Sequence, residues 1–241
     1  MKKFIVGLTI IAMAALSLSA DIYIKSKSHT DAMSVMGQNT PATDTVSEAW
    51  ISDNVFFNRT GDNGIIIDAA KKVFIMVNYG SKTYVEAALP LDFSKLLPPE
   101  MSAMASMIIM SAKVSPSGET KKIGSWNCQG YTMVMSIMGM PITTKVWAST
   151  DVPFDTVKFN AKFMVEMAKG MMRLDDASAK EMAKIKGYQI ASETSGEIMG
   201  AKMRSTTEVV EISKKSAPAG VYAVPAGFKK TDFINMADIQ R

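Results

Sequence analysis

The chain has 241 residues, 47% of them hydrophobic, and a formal net charge of +4. The mild charge, with no run of lysine or arginine longer than two, gives no argument for nucleic-acid binding, which needs a concentrated basic face. One cysteine, Cys128, excludes an intramolecular disulfide, and one histidine, His29, leaves almost nothing for a zinc site or a catalytic triad.

Residues 1–20 read as a secretory leader. Lys2 and Lys3 precede an apolar stretch from Phe4 to Leu18, small residues follow at Ser19 and Ala20, and cleavage is expected after Ala20. The apolar stretch is shorter than the roughly 20 residues that span a bilayer. The periplasm is therefore the expected compartment. The expected mature chain, residues 21–241, is about 220 residues long, and loss of Lys2 and Lys3 lowers its charge to about +2.

In chain order, DIYIKSKSHT alternates with a period of two, which predicts a strand. MSVMGQNTPATD is turn-rich and reads as an exposed loop. VSEAWISDNVFFNRT reads as a strand that ends at the turn Thr60-Gly61-Asp62-Asn63-Gly64. GIIIDAA, KKVFIMVN and KTYVEAAL continue as short strands, the pattern of an antiparallel meander. The period then changes. From Pro98 or Pro99, Met101, Met104, Met107 and Met110 recur every third residue, which predicts a helix with an apolar face and few charges. GETKKIGSWNCQGYTMVMSI and PITTKVWAST resume the strand pattern, with a turn around Gly139. Tyr131, Met133, Met135 and Ile137 share one face. A second helix is expected from Asp155 to Arg173, with Phe159, Phe163, Met167 and Met171 as its apolar stripe. A third, ASAKEMAKIK, is expected to be capped by Asp175 or Asp176 and ended by Gly187. GYQIASET, a turn at Ser195-Gly196, and the long strand EIMGAKMRSTTEVVEIS complete the pattern before YAVPAGFKKTDF.

Several of these pieces resemble a family of exported bacterial proteins of unknown function in the lipoprotein-carrier (LolA/LolB-like) superfamily. They are SKTYVEAAL, IGSWNCQGY leading into a strand, PITTKVWAST answering it, and TTEVVEIS leading to VYAVPAGFKK. The resemblance implies one α+β domain over residues 21–241. Its fold would be a strongly curved antiparallel β-sheet, an incomplete barrel, with helices covering the concave face. In the carriers that concave side is a hydrophobic cavity for acyl chains. The polar residues they use for hand-over map onto no position here, and fold alone does not fix function.

The chemistry-bearing residues are sparse. TGDNG lacks the ligand spacing of a calcium loop and fits a hairpin turn, and neither a P-loop nor a dinucleotide fingerprint occurs. His29 lies in a polar strand end, so no enzyme and no cofactor are expected. Cys128 reads as a reactive thiol or, more commonly, as a small buried hydrophobe. The methionines carry three readings. Thioethers are soft ligands for Cu(I) or Ag(I), and Met133, Met135, Met138 and Met140 are the local set that fits. Alternatively, pliable methionines line a cavity for an apolar ligand. Met101, Met104, Met107 and Met110 would face Met133, Met135 and Trp147, with Trp50 and Phe56 contributing. The third reading is a filled core in a structural or interaction domain. The cavity is the expectation the sequence favours: a monomeric periplasmic binding protein holding a lipid, an acyl chain or a lipidated partner, with no nucleic acid and at most transient membrane contact.

Overall fold

The computed structural model describes residues 20–35, 37–107, 110–137, 139–198 and 200–235. The expected leader, apart from Ala20, lies outside the described residues.

The chain builds one large, curved sheet of twelve strands that does not close into a barrel. β1 (Asp21–Thr30) sits near its middle, between β4 (Thr43–Ile51) and β13 (Ala201–Lys215). On the β4 side follow β5 (Val55–Thr60), β6 (Asn63–Asp68), β7 (Val73–Asn78), β8 (Thr83–Ala88) and the two-residue β14 (Lys229–Lys230). On the β13 side follow β12 (Tyr188–Ile198), β11 (Met140–Ser149), β10 (Trp126–Ile137) and the edge strand β9 (Met110–Ile123). All these neighbours are antiparallel except β14 on β8. β2 (Met33–Val35) and β3 (Gln38–Thr40) form a separate small hairpin.

The helices are short. α1 is Pro99–Met107. α2 (Thr156–Phe159) runs through a π-helical stretch, Asn160–Met164, into α3 (Val165–Met172). α4 is Asp176–Met182. The Asp155 carboxylate caps α2 by accepting from the Val157 and Lys158 amides, both at 3.0 Å. Asp175, not Asp176, caps α4, accepting from the Ser178 amide at 2.7 Å. Such caps satisfy amides that the first helical turn leaves open.

The β1–β8 half of the sheet is covered on both faces. On one face Ile22, Ile24, Ile51, Phe56, Ile67 and Phe74 meet Phe159 and Phe163 of the α2–α3 helix and Leu91, Leu96 and Leu97 of the connection before α1. Each such fully buried side chain contributes about 1.5–3 kcal/mol. On the other face Tyr23, Trp50, Phe57, Ile66 and Val77 are covered by the irregular segment carrying Ala217, Val221, Tyr222, Val224 and Phe228. Ile22 and Tyr23 are adjacent in β1 yet both buried, because each face has its own cover.

At the β9 edge the protection is different. Two outward amides of this strand are capped by side chains of α4: Ala112 donates to Ser178 Oγ at 3.0 Å, and Val114 donates to Glu181 Oε2 at 2.9 Å. Covering an edge in this way blocks pairing with another chain.

Four expectations are corrected. The 33–44 segment is not all loop, since it holds the β2–β3 hairpin. The single strand expected through Phe57 is two strands, folded back at Ser52, whose Oγ accepts from the Val55 amide at 3.0 Å. Trp50 then pairs with Phe57 and Ile51 with Phe56, and the turn between the arms is the polar Ser52-Asp53-Asn54, with Asp53 and Asn54 exposed. The helix expected to reach Met110 ends at Met107; Met110 opens β9, where Ala112 and Val114 are buried and Ser111 and Lys113 exposed, a period of two. Ser195-Gly196 is not a turn. Both residues lie inside β12, where a Cβ on Gly196 would stand 3.2 Å from Ile142 Cγ1, so the glycine permits close strand packing. The hairpin closes at Gly200 instead, with φ +82°, a conformation glycine adopts without steric cost. Among the described residues no helix is long and apolar enough to cross a membrane.

Candidate functional site

The residues expected to line one cavity fall into several packed clusters. Phe56 is buried in the largest cluster, against which Met101 and Trp147 also pack. Phe56 meets Phe159 and Phe163 with ring centroids 5.6 and 5.9 Å apart, so phenylalanine fills this part of the helix–sheet interface. Trp50 lies on the opposite face, its ring 4.8 Å from that of Tyr23. Met133 packs against Val114, Tyr131 and Val146. Met110 and Met135 pack against Ala112, Ala168 and Leu174. The side chains of Met104 and Met107 lie outside the described residues, as does Met138; Met140 is half-buried in β11.

One property unites the methionines. Every methionine whose side chain is described is half-buried; none joins the buried core and none is fully exposed. The fully buried positions belong mainly to isoleucine, valine, leucine, alanine and aromatic residues. Methionine therefore lies at the rim of three of the four clusters, and the one around Trp50 has none. Along the α2–α3 helix Met164, Met167 and Met171 lie against the main cluster beside Met101. At the α3–α4 junction Met172 and Met182 join Met110 and Met135. The sequence pattern pointed to Met167 and Met171, as an ordinary amphipathic stripe. It missed Met164, Met172 and Met182, because a helical position carries no sign of which sheet residue it will meet.

Two hollows open on the surface, the larger with a mainly apolar wall that includes Val46, Trp147, Ala191 and Val210. A trough of about 780 Å³ runs past Lys27, His29, Glu193 and Glu208 to Trp147, where the Lys121 ammonium stands 4.9 Å from the indole centroid. A second hollow, of about 620 Å³, is walled by Lys121, Lys122, Cys128, Asp151 and Lys186. Neither has a methionine in its wall.

The two residues with intrinsic reactivity are both engaged. His29 Nδ1 lies 2.8 Å from Asp44 Oδ1, and Nε2 lies 3.1 Å from Asp31 Oδ1. The hydrogen bond to Asp44, aided by the charges of Asp44 and Asp31, raises the imidazole pKa above its ordinary value. With a carboxylate on each nitrogen, the ring offers no lone pair to a metal or a substrate proton. Cys128 is 2% exposed and its Sγ–H points to the Trp126 carbonyl at 3.7 Å. Burial, more than the nearby Asp151, pushes its pKa up, which keeps it a thiol rather than a nucleophilic thiolate. Among the described residues no group of three or more histidine, cysteine, aspartate or glutamate side chains is placed to hold a metal ion.

No protein-family model matches the chain, and no curated protein sequence is similar to it at a significant level.

Proposed function

We propose that the protein is an exported, non-enzymatic binding protein that takes an apolar ligand, a lipid acyl chain or a lipidated partner, along the methionine-rich seam between its helices and its curved sheet. In this reading the chain is a single periplasmic domain after loss of residues 1–20, and the helices lie on the inner side of the curve. The observation that carries it is the uniform half-burial of methionine. A methionine used as core filler would be buried among the isoleucines. Placed at the rim, with three rotatable bonds, it presents an apolar surface that re-packs around differently shaped partners. Met101, Met164, Met167 and Met171 edge the main cluster in this way. Each CH₂ of a ligand buried there contributes about 0.8 kcal/mol, so an acyl chain binds without a polar contact. The engaged His29 and the buried Cys128 fit a protein that does no covalent chemistry.

Native mass spectrometry of the protein purified from the periplasm, followed by organic extraction, tests this reading. A near-stoichiometric lipid or acyl species is expected. A clean apo mass, together with failure to take up a fluorescent long-chain fatty acid, refutes it and leaves a packed interaction domain.

A further inference from the structure

We propose that Met110, Met135, Met172 and Met182 form a soft-metal site that takes a single Cu(I) or Ag(I) ion. Four separate elements deliver these side chains: the first residue of β9, the end of β10, and the last residues of α3 and α4. In the β9–β10 ladder Met135 stands opposite Ala112, and Met110 stands opposite Ile137. Met110 and Met135 are therefore diagonal neighbours on one face of the sheet, about 7 Å or less apart at Cβ. Beyond α3, Arg173 adopts the left-handed conformation at φ 50°, Leu174 is buried, and Asp175 starts α4. This short return brings Met172 and Met182 against the same buried residues as the two strand methionines, namely Ala112, Ala168 and Leu174.

The chemistry of the donor set points to the ion. Two residues of the base, Ala112 and Ala168, are small, so the apolar volume at this junction is supplied by four flexible thioethers. All four are half-buried, at the edge of the apolar cluster of Ala112, Ala168 and Leu174. Thioether sulfur is neutral and soft; it suits monovalent Cu(I) and its analogue Ag(I) and ligates zinc, magnesium or calcium poorly. The unbranched side chains converge on an ion by rotation about their own bonds, without moving backbone. The site differs from the hairpin set Met133, Met135, Met138 and Met140: Met133 packs against Val114 and Tyr131, in another cluster. It uses none of Met101, Met164, Met167 and Met171, which edge the main cluster.

The test is metal uptake by the full mature chain. Ag(I) is titrated by native mass spectrometry, and Cu(I) is titrated anaerobically against a chromophoric Cu(I) chelator. One ion per chain is expected. The double variant Met135→Leu/Met182→Leu is expected to lose that ion, while Met133→Leu/Met140→Leu keeps it. Leucine conserves volume and hydrophobicity at these positions, and circular dichroism of each variant checks that the fold survives. Absence of uptake overturns the proposal, as does undiminished binding by Met135→Leu/Met182→Leu. Equal loss in both variants moves the site to the β10–β11 hairpin and overturns it too.

Discussion

At Gly170 the backbone of α3 passes so close to Leu91 that a Cβ would stand 2.4 Å from the Leu91 Cβ and 2.7 Å from its carbonyl oxygen. An exposed helical glycine gains up to about 1 kcal/mol on becoming alanine. Here overpacking outweighs that gain, and Gly170→Ala is expected to lower stability by about 1–3 kcal/mol. A urea midpoint equal to or above that of the parent protein would disprove the close approach. His29 acts through its two carboxylate partners. Its folded pKa is raised, so the stability it contributes is fully present below the unfolded value and is lost as pH rises through the folded value. The stability gap between the parent and His29→Gln should therefore shrink as pH rises from 5 to 9. A constant gap would mean that the Asp31 and Asp44 contacts do not couple to the charge. The sequence identified both His29 and Cys128 as the reactive candidates, but not their neutralisation, since Asp44 is brought to His29 only by the pairing of β1 with β4.

Among the elements, α4 has the most exposed task. Seven residues long, it is too short to be stable alone. It is held by Asp175 at its start, and its own Ser178 and Glu181 hold the edge of β9. Lys184 and the Val114 amide hold the Glu181 carboxyl below its ordinary range. Ser178→Ala leaves the buried Ala112 amide without an acceptor, which costs about 1–3 kcal/mol. Hydrogen exchange should then show faster exchange at Ala112 and Val114, and light scattering should show association that grows with protein concentration. Unchanged protection at both amides would show that α4 does not guard this edge. Element type was largely legible from periodicity: the 156–172 helix, the α4 helix and most strands follow their apolar spacing. The exceptions have a common cause. Spacing by three from Met101 to Met110 fits a helix until Ala112 and Val114 extend it as a strand, and the hairpin at Ser52 has arms buried on both faces, so no alternation marks where one ends and the other begins.

For the whole molecule, the sheet class was legible but the meeting points were not. Met110 and Met135 were both named from the sequence, but Met172 and Met182 were not. Their meeting depends on how α3 and α4 dock on β9 and β10, and local spacing does not encode that docking. The same non-local character shows most strongly at β1. Its residues pair with β4 on one side and with β13 on the other, Asp21 opposite Lys215. A chain delivered N-terminus first thus carries its central strand half-paired until nearly its last residues have arrived. Each wing pairs strands that are neighbours in sequence, and β1 is the seam that joins the two wings. Such an order makes closure slow and leaves apolar strand surface waiting in the meantime. The β1–β13 edge is therefore the last long seam of the sheet to zip, and the moment of its pairing marks when the two wings become one surface.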